Sequence, residues 1–293
     1  MTIFDAFIQG VIQGLTEFLP VSSSGHLSLV QYFTGQGGEF GALFSILLHL
    51  GTLLAVFIAF YKTILMLIIE AFYILKDIFT LKFTFRTKDP HRKMIFMIIL
   101  SLVPLPIFYV FLKDWYRMVS SDNSIITEGI CFLITSFLLF TADRCTRGKK
   151  DASDMTSRDA LVMGIAQSIA PLPGISRSGS TVAAGMIMGL EKEFAVTFSF
   201  IMGMPAVLGA NILEIPELIG TKFNIDPIIL LVGLVTSLVF GLLAIFMVKW
   251  LVRTNKYVYF AYYTFILGLV VTGIGIYEQF SGHAIQQLLI GKL

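Results

Sequence analysis

Two short polar stretches carry the residue types of phosphate chemistry in a chain that is otherwise apolar. The first is Gln13-Gly14-Leu15-Thr16-Glu17-Phe18-Leu19-Pro20-Val21-Ser22-Ser23-Ser24-Gly25-His26. The second is Pro171-Leu172-Pro173-Gly174-Ile175-Ser176-Arg177-Ser178-Gly179-Ser180-Thr181. Arg177 is the one Arg or Lys deep inside a hydrophobic hairpin. An arginine near the bilayer centre costs about 2.5–3.5 kcal/mol on insertion scales, so it marks a functional site by default. Its guanidinium donates in a planar fork. The flanking Ser hydroxyls and Gly backbone add neutral donors, which is what a phosphate group requires. The competing reading is an arginine that pairs with a buried carboxylate to hold helices together, and Glu17 is the candidate partner.

Gln13 and Glu17 are spaced i, i+4 and share one helical face. Glu17 is the only acidic residue close to the first tip. An anion site needs no carboxylate, so its presence points to chemistry: holding a divalent cation against phosphate oxygens, or orienting or deprotonating a hydroxyl or water. His26, beside Ser23 at the start of a short helix, reads as a base, acid or nucleophile. His49, in mid-span among Leu residues, reads as packing or as a hydrogen bond one step removed from the site. Ser22, Ser23, Ser24, Ser176, Ser178 and Thr181 supply hydroxyls. Two better-known phosphatase patterns are not met. A Cys-x5-Arg loop would need a cysteine where Pro171 stands. The Ser-Arg-x5-His element would need a histidine where Ala183 stands.

The elements that must position these residues are membrane helices. Of the 293 residues, 56% are hydrophobic and 14% charged, and the mean hydropathy is +0.84, which a soluble domain does not carry. The small net charge of +2 gives no reason to expect nucleic acid as a partner. Cys131 and Cys145 are too few for a disulfide framework and fit no metal spacing. Met1-Thr2-Ile3-Phe4-Asp5 lacks a basic leader region, so insertion is expected to rely on internal segments. Residues 3–19, interrupted by polar positions and stopped by Pro20, form a short helix. With the short apolar piece 27–33 they read as a re-entrant hairpin, tolerated at membrane depth only where it is buried or lines a cavity. Spans are expected at 41–61, 94–112 and 125–142, with a partly amphipathic connection over 62–92 and a kink or break at Pro104 and Pro106. After a basic linker the pattern restarts. The short helix 160–170, the polar loop 171–181 and a short piece to 190 precede spans at 194–213, 227–249 and 257–277.

The restart is literal. A shift of 154 residues pairs Met1, Thr2, Asp5, Ala6, Gly10, Gln13, Ser22, Ser24 and Gly25 with Met155, Thr156, Asp159, Ala160, Gly164, Gln167, Ser176, Ser178 and Gly179, without a gap, and farther on Phe44-Ser45 with Phe198-Ser199. Both Thr-x-x-Asp tetrads read as capping boxes. The expected fold is therefore all-α and polytopic, a single membrane domain. Repeat one covers about 1–142, a basic linker 143–155, and repeat two about 156–277. Three spans per repeat invert the second copy relative to the first. With the N-terminus outside, the inner segments 62–93, 143–158 and 249–256 hold 7, 5 and 3 Lys/Arg. The outer segments 1–40, 113–124, 214–226 and 278–293 hold 0, 2, 1 and 1. This positive-inside bias puts both termini outside the cytoplasm. Two inverted hairpins would meet near the midplane, with the N-termini of helices 26–33 and 180–190 facing a bound anion.

The two motifs, in this order, closely resemble those of the bacterial undecaprenyl-pyrophosphate phosphatase family linked to bacitracin resistance, and the similarity runs over nearly the whole chain. The resemblance implies a multi-pass enzyme of the cytoplasmic membrane that removes the terminal phosphate of undecaprenyl diphosphate. The monophosphate carrier then returns to peptidoglycan synthesis and cell-wall biogenesis. It implies a divalent cation, Mg²⁺ or Ca²⁺, and inverted re-entrant hairpins. By matching motif, the Glu/Gln-x-x-x-Glu pair falls on Gln13 and Glu17 as metal ligands. The catalytic set falls on Glu17, Ser23, His26 and Arg177. Phosphate binding falls on Ser22, Ser24, Gly25, Ser176, Arg177, Ser178 and Thr181. Many relatives carry Glu where this chain has Gln13, so Glu17 is left as the main acidic group. The nucleophile stays open between Ser23, His26 and an activated water. The partners are the polyprenyl diphosphate and membrane lipids, with room for a homodimer. The rival reading is a secondary transporter or lipid flippase for a phosphate-bearing substrate, because inverted repeats with broken helices also serve alternating access.

Overall fold

The structure, a computed structural model, describes residues 2–35, 39–85, 87, 89–120, 124–145, 148–218, 226–254 and 256–290. Met1, Arg86, Lys88, Arg147, Lys222 and Lys292, counted above as repeat or charge markers, lie outside them. The chain runs through α1 (Ile3–Phe18), α2 (Ser23–Thr34), α3 (Glu39–Ala59), α4 (Tyr61–Phe79), α5 (Pro90–Leu102), α6 (Pro104–Ser120) and α7 (Ile126–Arg144). It continues through α8 (Ser157–Ile169), α9 (Arg177–Ile187), α10 (Lys192–Leu218), α11 (Pro227–Arg253), α12 (Val258–Ser281) and α13 (Ala284–Ile290). Helices satisfy their own backbone polar groups, as a lipid environment requires.

Among the described residues five helical stretches are long and apolar enough to cross a membrane: Pro90–Tyr116, Ile126–Arg144, Lys192–Leu213, Pro227–Arg253 and Val258–Ser281. The expected span at 41–61 is α3, which turns by 85° into α4. The pair adds a sixth crossing only if it is counted as one bent span. The segment 62–92, read from sequence as a connection, thus contains all but the first residue of α4, a helix of 19 residues. Pro104 acts as expected. It has no N–H to donate, α5 stops at Leu102, and the Val103 amide bonds back to Leu100 O at 3.3 Å. The interruption is a kink, because Pro90–Tyr116 still passes as one 27-residue crossing.

Both capping boxes are present. Asp5 N donates to Thr2 Oγ1 at 3.1 Å and Thr2 N to Asp5 Oδ2 at 2.7 Å. The corresponding bonds at Thr156 and Asp159 are 3.3 and 2.8 Å. These pairs start α1 and α8, the helices that lead into the two polar loops. α1 lies against α11 and α3, α7 against α12, and the pair α8 and α9 against α7, α10 and α5. Small residues permit the close approach. A Cβ on Gly14 would stand 2.7 Å from Ser237 O, so α1 and α11 touch backbone to backbone, the packing mode that membranes favour. Outward, Phe137, Leu243, Phe246 and Ile266 are exposed, a surface suited to lipid.

Candidate active site

The two polar loops meet, and each is pinned to the other. Gly174 N donates to Ser22 Oγ at 3.2 Å, and Ser178 Oγ donates to Leu19 O at 3.3 Å. Gly174 adopts φ +95°, a conformation that suits glycine. A Cβ on Gly25 would lie 2.8 Å from Gly174 Cα. Thr135 on α7 fastens the second loop from behind: its hydroxyl donates to Gly174 O at 2.9 Å and accepts from Ser176 N at 3.0 Å. Each loop ends in a serine N-cap. Ser22 Oγ accepts from Gly25 N at 3.3 Å and Ser176 Oγ from Gly179 N at 3.0 Å. Each cap satisfies one of the free donors of its helix. Ser22 holds φ +69°, an uncommon backbone for a residue with a side chain.

The first residues after these caps are Ser23 and Arg177, and both close on Glu17. Ser23 Oγ donates to Glu17 Oε2 at 2.7 Å, and Arg177 Nη2 donates to Glu17 Oε1 at 2.5 Å. Gln13 Nε2 adds a bond to Oε2 at 2.9 Å, and His49 Nε2 lies 3.8 Å from the same oxygen. The Glu17–Arg177 ion pair weighed as a purely structural alternative therefore exists. It stands at the edge of a cavity of about 310 Å³, lined among others by Glu17, Ser22, Ser23, Ser24, Ser176 and Arg177. α10 makes room for the guanidinium through Gly203, where a Cβ would fall 1.6 Å from Arg177 Nη1.

The other residues singled out from sequence take different places. His26 turns away from Glu17. Its Nδ1 lies 2.7 Å from Ser22 O and its Nε2 2.7 Å from Tyr263 Oη, with the two rings stacked. Thr181 Oγ1 bonds Arg177 O at 2.8 Å and Ser199 Oγ at 2.6 Å, buried in the loop's support. Ser178 bonds the first loop, and Gly25 is needed for close approach. These three hold the loops in shape. His49, placed by sequence one step away, lines the cavity itself. Its Nδ1 lies 2.8 Å from Ser45 O, which turns Nε2 toward Glu17. Gly203, Thr135 and the cavity-lining Gln167 were not singled out. Only Gln167 left a signal, as the repeat partner of Gln13.

The donor set can be tested against a divalent cation. Gln13 Oε1 is buried and has no hydrogen-bond partner, and the Nε2 of the same amide donates to the Glu17 carboxylate. Two hard oxygen donors, completed by phosphate oxygens and water, fit Mg²⁺ or Ca²⁺. Among the described residues no group of three His, Cys, Asp or Glu gathers to hold a metal.

A family model described as bacitracin resistance protein BacA matches residues 6–270. A relative from Alkaliphilus metalliredigens, named undecaprenyl-diphosphatase, is 38% identical over 92% of this chain and 98% of its own length. One of the same name from Methanobrevibacter smithii is 35% identical over 92% and 97%. Undecaprenyl-diphosphatase 4 of Bacillus thuringiensis is 37% identical over 92% and 96%.

Proposed function

The chain belongs to the bacitracin resistance protein BacA family, and from that premise we propose that it is an undecaprenyl-diphosphate phosphatase. It hydrolyses the diphosphate to undecaprenyl phosphate and inorganic phosphate, and so supports carrier recycling and bacitracin resistance. The observation that carries the reading is the Glu17 carboxylate held between Ser23 Oγ and an arginine at the edge of a cavity. An anion carrier would use Arg177, but it has no need of a hydroxyl aligned on a carboxylate.

The mechanism follows from that alignment. Ser23 Oγ attacks the terminal phosphorus and its proton passes to Glu17 Oε2, the acceptor it already faces. The bond from phosphorus to the bridging oxygen breaks, and the polyprenyl monophosphate leaves. Water then attacks the phosphoserine, the bond from phosphorus to Ser23 Oγ breaks, Oγ recovers the proton from Glu17, and inorganic phosphate leaves with the protons of the water. Arg177 orients the phosphoryl oxygens and balances the charge that develops on them; such positioning and electrostatics dominate phosphoryl transfer. Gln13 and Glu17 are the residues we assign to a divalent cation, which when bound neutralises phosphate charge. Both ring nitrogens of His26 are engaged elsewhere, so the geometry favours Glu17 as the proton acceptor.

The protein is an integral membrane protein. Its two halves are read as inverted repeats of a hairpin and three crossings with both termini outside the cytoplasm, supported by the 154-residue identities and the Lys/Arg bias. The test is phosphate release from undecaprenyl diphosphate by purified protein in detergent, with and without EDTA, beside Glu17→Ala and Arg177→Ala. Metal-dependent release that is lost in both variants is expected. Folded wild type that releases no phosphate with metal and lipid supplied would overturn the reading in favour of transport.

A further inference from the structure

We propose that Gln167 is a second phosphate-binding residue of this cavity, donating its side-chain amide to the phosphoryl group that Arg177 does not hold. The inference rests on the diphosphate reading above. Gln167 is 2% exposed and lines the same cavity as Glu17, Ser23 and Arg177. Neither its Nε2 nor its Oε1 has a hydrogen-bond partner. A buried amide left unpaired costs about 1–3 kcal/mol by mutational measures, and such groups in native proteins call for an explanation.

The explanation comes from comparing positions 154 residues apart. Gln13 and Gln167 are the same residue at the same point of the two repeats. Gln13 Nε2 is satisfied by the carboxylate four residues on, Glu17 Oε2 at 2.9 Å. Four residues after Gln167 stands Pro171, which has no side-chain acceptor. The second repeat has kept the donor without the anion that answers it. A phosphoryl oxygen is the chemical equivalent of the missing carboxylate oxygen, an anionic acceptor for N–H. The nearby Ser176 hydroxyl does not serve, because it is occupied by Gly179 N and Ser178 Oγ. Arg177 is itself a donor. One phosphate held at Arg177 and Ser23 and the next at Gln167 would distinguish a diphosphate from a monophosphate.

A buried structural water is the alternative occupant, and two isosteric variants separate them. Gln167→Met keeps the size and removes the donor; Gln167→Glu keeps the shape and places a negative charge there. A phosphate ligand makes Glu the worse replacement. A water makes Met the worse one, since a carboxylate still bonds water and a thioether does not. The readouts are KM for the diphosphate lipid and competition by inorganic pyrophosphate relative to orthophosphate. A third is the shift in thermal unfolding caused by pyrophosphate, which needs no turnover. We expect KM to rise about tenfold or more in Gln167→Glu and about threefold or more in Gln167→Met. The preference for pyrophosphate over orthophosphate should shrink in both. KM within twofold of wild type in both variants, Met worse than Glu, or an unchanged preference would each overturn the proposal. Should neither variant show a cooperative melt, Gln167→Asn, which withdraws the amide by one methylene, must raise KM, and an unchanged KM overturns it. Wild type that is stabilised by pyrophosphate but releases no phosphate would refute hydrolysis and leave the phosphate site standing.

Discussion

Adding one methyl group on α10 tests how the site is assembled. In Gly203→Ala the new Cβ would lie 1.6 Å from Arg177 Nη1 and 2.7 Å from Cζ. Carbon and nitrogen atoms rest roughly 3.5 Å apart, so the guanidinium must retreat by about 2 Å. Its bond to Glu17 Oε1, now 2.5 Å, lies far outside hydrogen-bond range after such a move. A hydrogen bond between charged groups is worth about 1.5–3 kcal/mol. If the same contact orders Arg177 for the phosphate, the rate of phosphate release should fall about 10- to 150-fold. Initial rates per milligram of folded protein measure this. A control isolates the cause: in an Arg177→Ala background there is no guanidinium to displace, so adding Gly203→Ala should leave the thermal midpoint unchanged. Turnover of Gly203→Ala within threefold of wild type would refute the seating of Arg177 against α10. An equal loss of stability in both backgrounds would trace the damage to general packing.

Other perturbations probe the surroundings. Thr135→Val strips Gly174 O of its donor and Ser176 N of its acceptor. Each unpaired buried group costs about 1–3 kcal/mol, so the melting temperature should fall by several degrees; an unchanged melt counts against Thr135 as the fastening of the second loop. Tyr263→Phe removes the partner of His26 Nε2 but leaves Ser23 on Glu17. We expect turnover to change less than about threefold, and a loss beyond tenfold would bring His26 into the chemistry. Cys145→Ser, at the end of α7, should leave turnover within twofold, and inactivation by it would mean that the site is misassigned.

Much of this was legible in the chain because it is written in local spacing. The capping boxes need only Thr and Asp three apart. The five long crossings need only sustained hydropathy. Arg177 is conspicuous wherever its partner lies. What the chain could not display is contact between distant helices. His26 follows Ser23 so closely that the two invite pairing, yet the ring is taken by Tyr263, 237 residues away. His49 sits among leucines with nothing local to distinguish it, and only the packing of α3 beside α1 brings it to Glu17. Gly203 resembles any helical glycine until a guanidinium is found against it. The turn from α3 to α4 falls where the expected span ends, just before Lys62, but the chain did not display that it is an 85° corner into a further helix.

The bond from Gly174 N to Ser22 Oγ has a consequence for the order in which the protein is made. It joins residues 152 positions apart, and the Ser22 backbone is held at a positive φ that non-glycine residues seldom adopt. During synthesis the first loop therefore emerges without the partner that fixes it. At about 5–20 residues per second the ribosome needs roughly 8–30 s to deliver Gly174. For that interval the first loop lacks the contact that fixes it, and maturation of the cavity around Ser23 waits on translation of the second half.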